Sequence, residues 1–466
     1  MDQDALRLPE RRVAPGRGPE QEGADRPERT RFILITHLFE RRRRALLRLH
    51  ADAVGEHDGK NNAERAGDGA PMSDAFVCPS CKAPLAAWSC PACGERYPLL
   101  FDQTPLLLRG PARHVAREIL QFSTPIRRSR QKIAALDQLK RRQPRRAPRL
   151  DRIQRAFEQR IALWSAWREA LSTQCTLCAL FNAADEGPPA AQNYGWERAL
   201  DYARRDFGEE QVCVREREAI GEACAAAIGR PERLLVLGAG TGRGADDLGS
   251  ACGQVCAVEK AIAMVMLRHL LTSRPLSFPV VQTRNHVTDA EQTCDVHLPR
   301  HHPPANVTFV VADAGHLPWP SAHFDAVLSC YFTDVVGLSR LLPEVTRVLA
   351  VGGRFAHVGP LGYQFDNYAD RYSAEGMVQE LGELGFALLD KSSFTSSHLY
   401  EPLSLSHSQF ENWFTSSRNR CHDNGRGAPH DAATEGSHRR HRRAEEGPRA
   451  FRSRRPLTET AGGAPA

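Results

Sequence analysis

The spacing of apolar residues divides the chain into a helical region and a region in which strands alternate with helices. Between residues 111 and 170, Leu, Ile, Phe and Trp recur at i, i+3 and i+4 spacing without any glycine, which predicts helices. The stretch WERALDYARRDF, residues 196–207, predicts a further helix. Beyond it, short apolar runs such as LLVL at 234–237 end in turn residues and predict strands. This alternation indicates an α/β fold.

The two ends of the chain lack these patterns. Residues 1–71 and 421–466 are rich in Arg, Glu, Gly, Pro and Ala and poor in aliphatic runs, so we expect both to be disordered. Met72 stands just before the first segment of ordered composition, which favours interpreting residues 1–71 as an extension. We therefore divide the chain into an extension at 1–71, a small module at 72–110, a helical linker at 111–190, an α/β domain at 191–420 and a tail at 421–466.

A glycine-rich turn lies between the first two predicted strands, in the sequence RLLVLGAGTGRGADDLGSACGQVCAVE. Gly238, Gly240 and Gly242 would let the backbone turn sharply and approach a ligand closely. The next helix is predicted to begin near Thr241, so that its N–H groups point at the bound group. Glu259 ends the second strand 19 residues after Gly240, the distance at which an acid meets ribose hydroxyls. The segment predicts a nucleotide-like cofactor, and its loose GxGxxG/A spacing leaves NAD open.

The strands that follow favour a different cofactor. Asp313 ends the strand VTFVVAD, a Leu-Pro-Trp-Pro turn and the strand HFDAVLSC come next, and LPEVTRVLAVGGRFAHVGP adds a helix, a Gly-Gly turn and another strand. This order resembles the class I S-adenosylmethionine-dependent methyltransferases, which implies a Rossmann-like fold with a mostly parallel, seven-stranded sheet. It also implies that the glycine turn holds the methionine part of the cofactor, Glu259 the ribose, and Asp313 with Ala314 the adenine. The alternative is a Rossmann-like fold with an unused cleft.

The sequence beyond residue 330 resembles one family more specifically. The segment SCYFTDVVGLSRLLPEVTRVLAVGGRFAHVGPLGYQFDNYA is similar to the carnosine N-methyltransferase (N2227-like) family, which has Cys-Phe-Phe-x-Asp and Gly-Pro-Leu-x-Tyr-His-Phe-Glu-Asn within this stretch. The resemblance covers about residues 195–400. It implies that Cys330 borders the cofactor, that Asp334 faces a substrate imidazole, and that Tyr363 lies in the substrate-binding segment.

Two positions depart from the family's pattern. In LDYARRDFGEE, Arg205 matches the Arg by which the family caps its cofactor, but Tyr202 stands where the family has Gln. Gln364 stands where the family has its substrate-contacting His, and Gln cannot carry a proton at neutral pH. Tyr400 is a candidate for the family's distal Tyr contacts. We therefore expect the acceptor to be an imidazole-containing or related small molecule or peptide, and carnosine itself is in question.

Methyl transfer to an imidazole sets a requirement that Asp334 could meet. The attacking nitrogen must be neutral, with its lone pair directed at the methyl group. A carboxylate bonded to the other ring nitrogen fixes that tautomer and stabilises the developing positive charge. Asp334 follows the strand that carries Cys330, where such a group is needed. The alternative is that Asp334 caps the helix predicted in VVGLSRLL.

Four of the thirteen cysteines form two CxxC pairs separated by eight residues, Cys78 with Cys81 and Cys90 with Cys93. Four thiolates complete a tetrahedral Zn²⁺ shell, so the spacing predicts a zinc ribbon. The site would be structural, because its metal would stabilise a module too small for a core of its own. Two redox CxxC pairs are the alternative. Two less regular sets are Cys175-x2-Cys178, interpreted as chance or packing, and a possible metal set of Cys294, His297, His301 and His302.

The net charge of +6 is mild for 466 residues and sits largely in Arg clusters at 41–44, 141–146 and 438–443. Such clusters, with Arg127, Arg128 and Arg130, can dock on nucleic acid but are more often solvated. A zinc ribbon before a class I core also resembles the rRNA guanine-N1 methyltransferases, which makes RNA the alternative substrate. A non-catalytic adaptor is a third possibility.

The sequence predicts no membrane span, because its apolar run FILI is far shorter than the about 20 residues that a span needs. No signal-peptide pattern precedes that run, so we expect reduced thiols and a cytoplasmic protein.

Overall fold

The computed structural model describes residues 76–174, 196–282, 285–289, 291–399 and 404–420. The predicted disordered ends, the Cys175–Cys178 pair and Tyr400 lie outside these residues. The helices of the described part are α1 (Pro111–Gln121), α2 (Ser123–Arg142), α3 (Ala147–Ser172), α4 (Trp196–Phe207), α5 (Gln211–Ile228), α6 (Arg243–Asp247), α7 (Ile262–Ser273), α8 (Leu338–Val348) and α9 (Ala374–Glu383). Its strands are β1 (Leu99–Leu100), β2 (Thr104–Leu107), β3 (Arg233–Leu237), β4 (Gln254–Glu259), β5 (Leu276–Val281), β6 (Thr293–Leu298), β7 (Val307–Ala312), β8 (Phe324–Cys330), β9 (Leu349–Gly359), β10 (Phe386–His398) and β11 (Ser408–Asn419).

Nine strands form one sheet in the order β1-β2-β7-β4-β3-β8-β9-β11-β10, and β5 pairs with β6 as a separate hairpin. From β2 to β9 in this order the neighbours are parallel, whereas β9, β11 and β10 are antiparallel. The predicted Rossmann-like fold with a mostly parallel sheet is therefore confirmed. The sheet exceeds the predicted seven strands because β1 and β2 extend it. β2 pairs with β7, with Leu106 opposite Val311.

Both faces of the central strands are covered, and successive residues alternate between them. In β3, Leu234 and Val236 pack into one core, while Leu235 and Leu237 pack into the other. The first core is completed by residues of α1, α3, α4, α5 and α7, and the second by residues of α8 and α9. A strand that is buried on both sides needs a nearly continuous apolar run, which explains the sequence RLLVL.

The cysteine-containing segment at 76–97 packs on the same face of the sheet as α8. Phe76 lies 5.5 Å from Trp319 between ring centroids, and the Val77 amide donates a hydrogen bond to the Pro318 carbonyl. Lys82 bonds the carboxylate of Glu344 at 2.8 Å. The segment is thus docked on the loop that follows β7. None of the helices in the described ranges has the length and apolar character needed to cross a membrane.

Candidate active site

A cavity of about 380 Å³ lies at the carboxyl ends of β3, β4, β7 and β8. This edge is where open α/β sheets bind their ligands. Most of the predicted cofactor residues line it: Arg205, Gly238, Gly240, Glu259, Asp313, Ala314 and Cys330. The wall of the cavity does not include Gly242, Asp334, Tyr363 or Gln364.

The glycine loop after β3 needs two of its glycines for different reasons. Gly238 has a φ of 60°, and a Cβ there would stand 2.1 Å from the Phe332 ring. Gly242 has a φ of 84° and precedes α6, which begins two residues after the predicted start. A Cβ on Gly242 would stand 2.4 Å from the guanidinium of Arg268. Gly238 therefore leaves room for the cavity wall, whereas Gly242 leaves room for a buried arginine behind the loop.

Glu259 is fixed at the end of β4 by backbone amides. One carboxylate oxygen accepts from the Gly240 N–H at 2.8 Å, and the other accepts from Lys260 at 2.8 Å and Ala261 at 2.7 Å. Burial raises the pKa of Glu259, and these three bonds act against that rise. Each carboxylate oxygen can accept two hydrogen bonds, so Oε2 retains capacity for a ligand hydroxyl.

Asp313 at the end of β7 is already paired with two cations. Its Oδ2 lies 2.8 Å from Lys260 Nζ and 2.8 Å from Arg340 Nη2. Burial alone would raise the pKa of Asp313, but Lys260 and Arg340 outweigh it and hold the pKa below its usual range. The adjacent Ala314 is buried. The sequence predicted this acid but neither of its partners.

Arg205 on α4 bonds the residue that joins this helix to the glycine loop. Its Nε bonds Asp206 at 2.6 Å, and Asp206 accepts a hydrogen bond from Thr241 in the loop. The guanidinium lies 4.9 Å from the ring centroid of Tyr202, which also lines the cavity. Tyr202, at the position where the resembled family has Gln, therefore stacks on the neighbouring arginine.

A buried charge network behind the glycine loop was missed by the sequence analysis. Arg268 bonds both oxygens of Asp246, at 2.7 and 2.9 Å, and His301 Nε2 lies 2.7 Å from the same carboxylate. Burial acts to raise the pKa of Asp246, but His301 and Arg268 have the larger, opposite effect. The pKa of Asp246 is therefore below its usual range. The signal was present in IAMVMLRHLLTS, where a single arginine interrupts an apolar helix.

Asp334 and Gln364, 30 residues apart, are brought together. Gln364 Nε2 donates to Asp334 Oδ2 at 3.1 Å, and the Gln364 amide donates to the Asp334 carbonyl at 2.8 Å. Burial raises the pKa of Asp334 to about 6, and its Oδ1 has no hydrogen-bond partner in the described part of the chain. α8 begins at Leu338 after Gly337, so the helix-cap interpretation of Asp334 is wrong. The Tyr363 hydroxyl donates to the Tyr372 carbonyl.

Tyr331 is a cavity residue that the sequence analysis did not single out. It has a φ of 51°, which is uncommon for a residue other than glycine. Its hydroxyl lies 3.0 Å from the Ser396 hydroxyl, which in turn accepts a hydrogen bond from the buried Asn412 side chain. His398 and Phe410 stack beside its ring. The β10–β11 hairpin therefore supports one wall of the cavity.

The four cysteines of the predicted ribbon converge, and their Sγ atoms all lie within 4.8 Å of one another. The Sγ atoms of Cys78 and Cys93 lie 3.7 Å apart, and those of Cys81 and Cys90 lie 3.4 Å apart. Zn–S bonds of about 2.3 Å in a tetrahedron place sulfur atoms about 3.8 Å apart, so the set fits a tetrahedral metal ion. The Ser80 amide donates to Cys78 Sγ, and the hydroxyl of Tyr97 lies 3.0 Å from it.

No second cluster of three or more possible metal ligands occurs in the described residues. Of the suggested set at 294–302, His301 bonds Asp246 and His297 pairs with the hydroxyl of Ser277. The suggestion of a metal site there is wrong, because these side chains serve separate structural contacts.

A comparison with models of known protein families agrees with this fold. Residues 235–357 match the family model described as Methyltransferase domain. No curated protein sequence matches the chain. Among solved structures, a putative methyltransferase from Bacillus halodurans is 14% identical, with 44% of this chain and 100% of that chain covered and a TM-score of 0.30.

Two other solved structures are similarly distant. A possible histamine N-methyltransferase from Thermotoga maritima is 16% identical, over 48% of this chain and 98% of that one, with a TM-score of 0.30. Phosphoethanolamine N-methyltransferase 2 of Haemonchus contortus was solved with S-adenosyl-L-methionine. It is 16% identical, with 49% of this chain and 58% of that chain covered and a TM-score of 0.32. Likeness at this level identifies no methyl acceptor. The matched domain, the strand order and the cavity beside the glycine loop together show that the chain is a methyltransferase with a Rossmann-like fold.

Proposed function

We propose that the enzyme methylates a nitrogen atom of an imidazole-containing or related small molecule or peptide, as its resemblance to the carnosine N-methyltransferase family implies. The observation that carries the proposal is Asp334. This carboxyl is only 5% exposed, and its Oδ1 makes no hydrogen bond to any described residue. A buried acceptor of this kind is unfavourable unless a ligand supplies a donor. The N–H of a neutral imidazole is such a donor.

The position of Asp334 supports this role. Phe332, Val335 and Val336, which flank it in the chain, line the cavity. Asp334 therefore stands directly behind the apolar wall next to Cys330. A modest movement of this wall on substrate binding would give the acceptor access to Oδ1.

The cavity fits S-adenosylmethionine in size and in its polar groups. Its volume of about 380 Å³ lies within the range of small-molecule sites. Glu259 would accept hydrogen bonds from the ribose, Asp313 and Ala314 would contact the adenine, and the glycine loop would accommodate the methionine part. When bound, the cofactor supplies a methyl group activated by a sulfonium centre.

The residues of the chain then have defined tasks. The Gln364 side-chain amide holds the Asp334 carboxylate in place, and that carboxylate fixes the tautomer of the acceptor ring. Because the Gln364 amide cannot take up a proton at neutral pH, the acceptor nitrogen must arrive unprotonated. The apolar side chains of Phe332 and Val336 exclude water from the transfer.

The four-cysteine cluster supports a structural Zn²⁺ as a second resident group. Its four sulfur atoms leave no position for a substrate, and all four thiols share one cluster, which favours a metal over two separate redox pairs. We expect the ion to order residues 76–97 against the loop after β7.

Methyl transfer from radiolabelled S-adenosylmethionine tests the proposal. The acceptors are carnosine, histidine, related imidazole peptides and, separately, bulk RNA. We expect label on at least one imidazole compound. Label on RNA alone would refute the proposal.

RNA is retained as a second candidate because of one observation. The α2–α3 segment, residues 123–172, has fourteen Arg and Lys against four Asp and Glu, a net charge of +10. The following arginines are exposed and form no ion pair with any described residue: Arg127, Arg130, Arg141, Arg142, Arg145 and Arg146. Such a density of positive charge suits a polyanion. If RNA is labelled, charge reversal at Arg141 and Arg145 should abolish that labelling.

A further inference from the structure

Helix α1 lies outside the residues that match the methyltransferase domain, yet it closes one side of the cofactor cavity. Its Val115 and Ile119 side chains are buried in the core on that face of the sheet. His114 and Glu118, on another side of the helix, line the cavity. The helix follows β2 after only a short turn and is thereby fixed to the sheet edge beside β7. The cavity therefore has a wall that the domain alone does not supply.

Glu118 is a buried acid without a local function. It is 6% exposed and makes no hydrogen bond to any described residue. By contrast, Glu259 accepts three backbone N–H bonds. Burial and the neighbouring Glu259 raise the pKa of Glu118 to about 8. At neutral pH Glu118 is thus mostly a carboxylic acid, and it lies close to Glu259.

The other charged groups on this side of the cavity do not neutralise Glu118. Lys260 is bonded to Asp313. His114, one turn earlier on α1, has its pKa lowered by burial and by Lys260, so it is uncharged at neutral pH. A buried carboxylic acid that faces a ligand cavity from a fixed helix has the features of a binding group.

We propose that Glu118 is a second ligand for the nucleoside of the cofactor, binding the ribose hydroxyls together with Glu259. A vicinal diol offers two donors and two acceptors, whereas the Glu259 carboxylate can only accept. A protonated Glu118 can donate to one hydroxyl oxygen and accept from the other hydroxyl. The inference rests on the proposed cofactor site and assigns it a residue from outside the matched domain.

Binding of S-adenosylhomocysteine, the product form of the cofactor, tests the inference by calorimetry without any methyl acceptor. Glu118→Gln keeps a neutral donor and acceptor, so its affinity should stay within about threefold of wild type. Glu118→Ala should lose about tenfold. Glu158→Ala, at an exposed position on α3, is the matched control and should bind like wild type. Equal affinity of Glu118→Ala and wild type would overturn the inference.

The pH dependence provides a second, independent readout. A bound ligand excludes water and so disfavours the ionised form of Glu118 further, which means that binding weakens as pH rises through its pKa of about 8. Wild-type affinity should fall about tenfold between pH 7 and pH 9, and Glu118→Gln should lack this fall. An identical fall in both proteins would overturn the inference.

The failure of the inference and the failure of the cofactor site are distinguishable. If Glu259→Ala weakens binding and Glu118→Ala does not, only the inference fails. If neither substitution changes binding, the cofactor site itself is misplaced. Thermal unfolding of each variant without ligand shows whether the protein remains folded.

Discussion

The cofactor cavity and the proposed acceptor site behind its apolar wall, here called the cofactor end and the acceptor end, differ in how completely their polar groups are satisfied. At the cofactor end, Glu259 and Asp313 have amide or cationic partners before any ligand binds. At the acceptor end, one oxygen of Asp334 lacks a partner among the described residues. The cofactor end is therefore a preorganised site, whereas the acceptor end retains hydrogen-bonding capacity that only a substrate can use. Substitutions should separate the two ends.

The largest effect is expected at Asp334. Asp334→Asn should lower kcat/KM for an imidazole acceptor about 100-fold, because a positioned charge is lost where positive charge develops. The affinity for S-adenosylhomocysteine should stay within about twofold. Asp390→Asn, at an exposed position on β10, is the control. A parallel loss of cofactor binding would show that the two ends are not separable.

The pH profile sharpens the same test. Because burial raises the pKa of Asp334 to about 6, its carboxylate form is lost as pH falls through 6, and activity should fall with it. The activity of Asp334→Asn should change with pH only where the acceptor itself gains or loses a proton. Profiles of identical shape would contradict the role of the carboxylate.

At the cofactor end, Glu259→Ala should weaken cofactor binding about 30-fold or more, because charge-assisted ribose bonds and the anchoring of the Gly240 amide are both lost. Calorimetry with S-adenosylhomocysteine measures the loss. Glu222→Ala, exposed on α5, provides the control. Unchanged affinity would disprove the site.

Substitution of the cysteine cluster should have a smaller effect on cofactor binding. Cys78→Ser with Cys93→Ser should release zinc and lower the melting temperature. It should also weaken cofactor binding about tenfold, because the segment packs on the loop that follows Asp313. Metal analysis, thermal unfolding and calorimetry report the three effects, with Cys252→Ser as the control. Absence of zinc from the wild-type protein would refute the assignment.

The smallest effect should come from Tyr331→Phe. Removing this hydroxyl deprives Ser396 of a buried partner, which should cost about 1 kcal/mol of stability. The KM for the acceptor should rise a few-fold while cofactor affinity stays constant. A selective loss of cofactor affinity would show that this part of the wall serves the cofactor and not the acceptor.

The convergence of the predicted cofactor residues on one cavity could be foreseen from the sequence for a physical reason. The glycine turn, Glu259 and Asp313 lie at strand ends, and parallel strands bring their carboxyl ends to one edge whatever the surrounding residues are. The strand-helix alternation was predicted from the apolar runs, and the mostly parallel sheet from the resemblance to class I methyltransferases; both are confirmed. Convergence of the four cysteines followed from their fixed CxxC spacing.

The remaining contacts depend on pairings that no local spacing encodes. Tyr331 meets Ser396 across 65 residues, and His301 meets Asp246 across 55. The addition of β2 to the sheet and the approach of Glu118 to Glu259 likewise require the folded chain. The close approach of Arg268 to Gly242 could not be predicted from the glycine motif either.

The pairing of β2 with β7 has a practical consequence for anyone who expresses this enzyme. A fragment trimmed to the matched segment, residues 235–357, would leave the β7 backbone as an open edge and would remove α1 from the cavity. Unpaired edges of this kind template association between chains. Fragments that begin upstream of residue 76 should therefore yield monodisperse protein, and those that begin after residue 195 should aggregate.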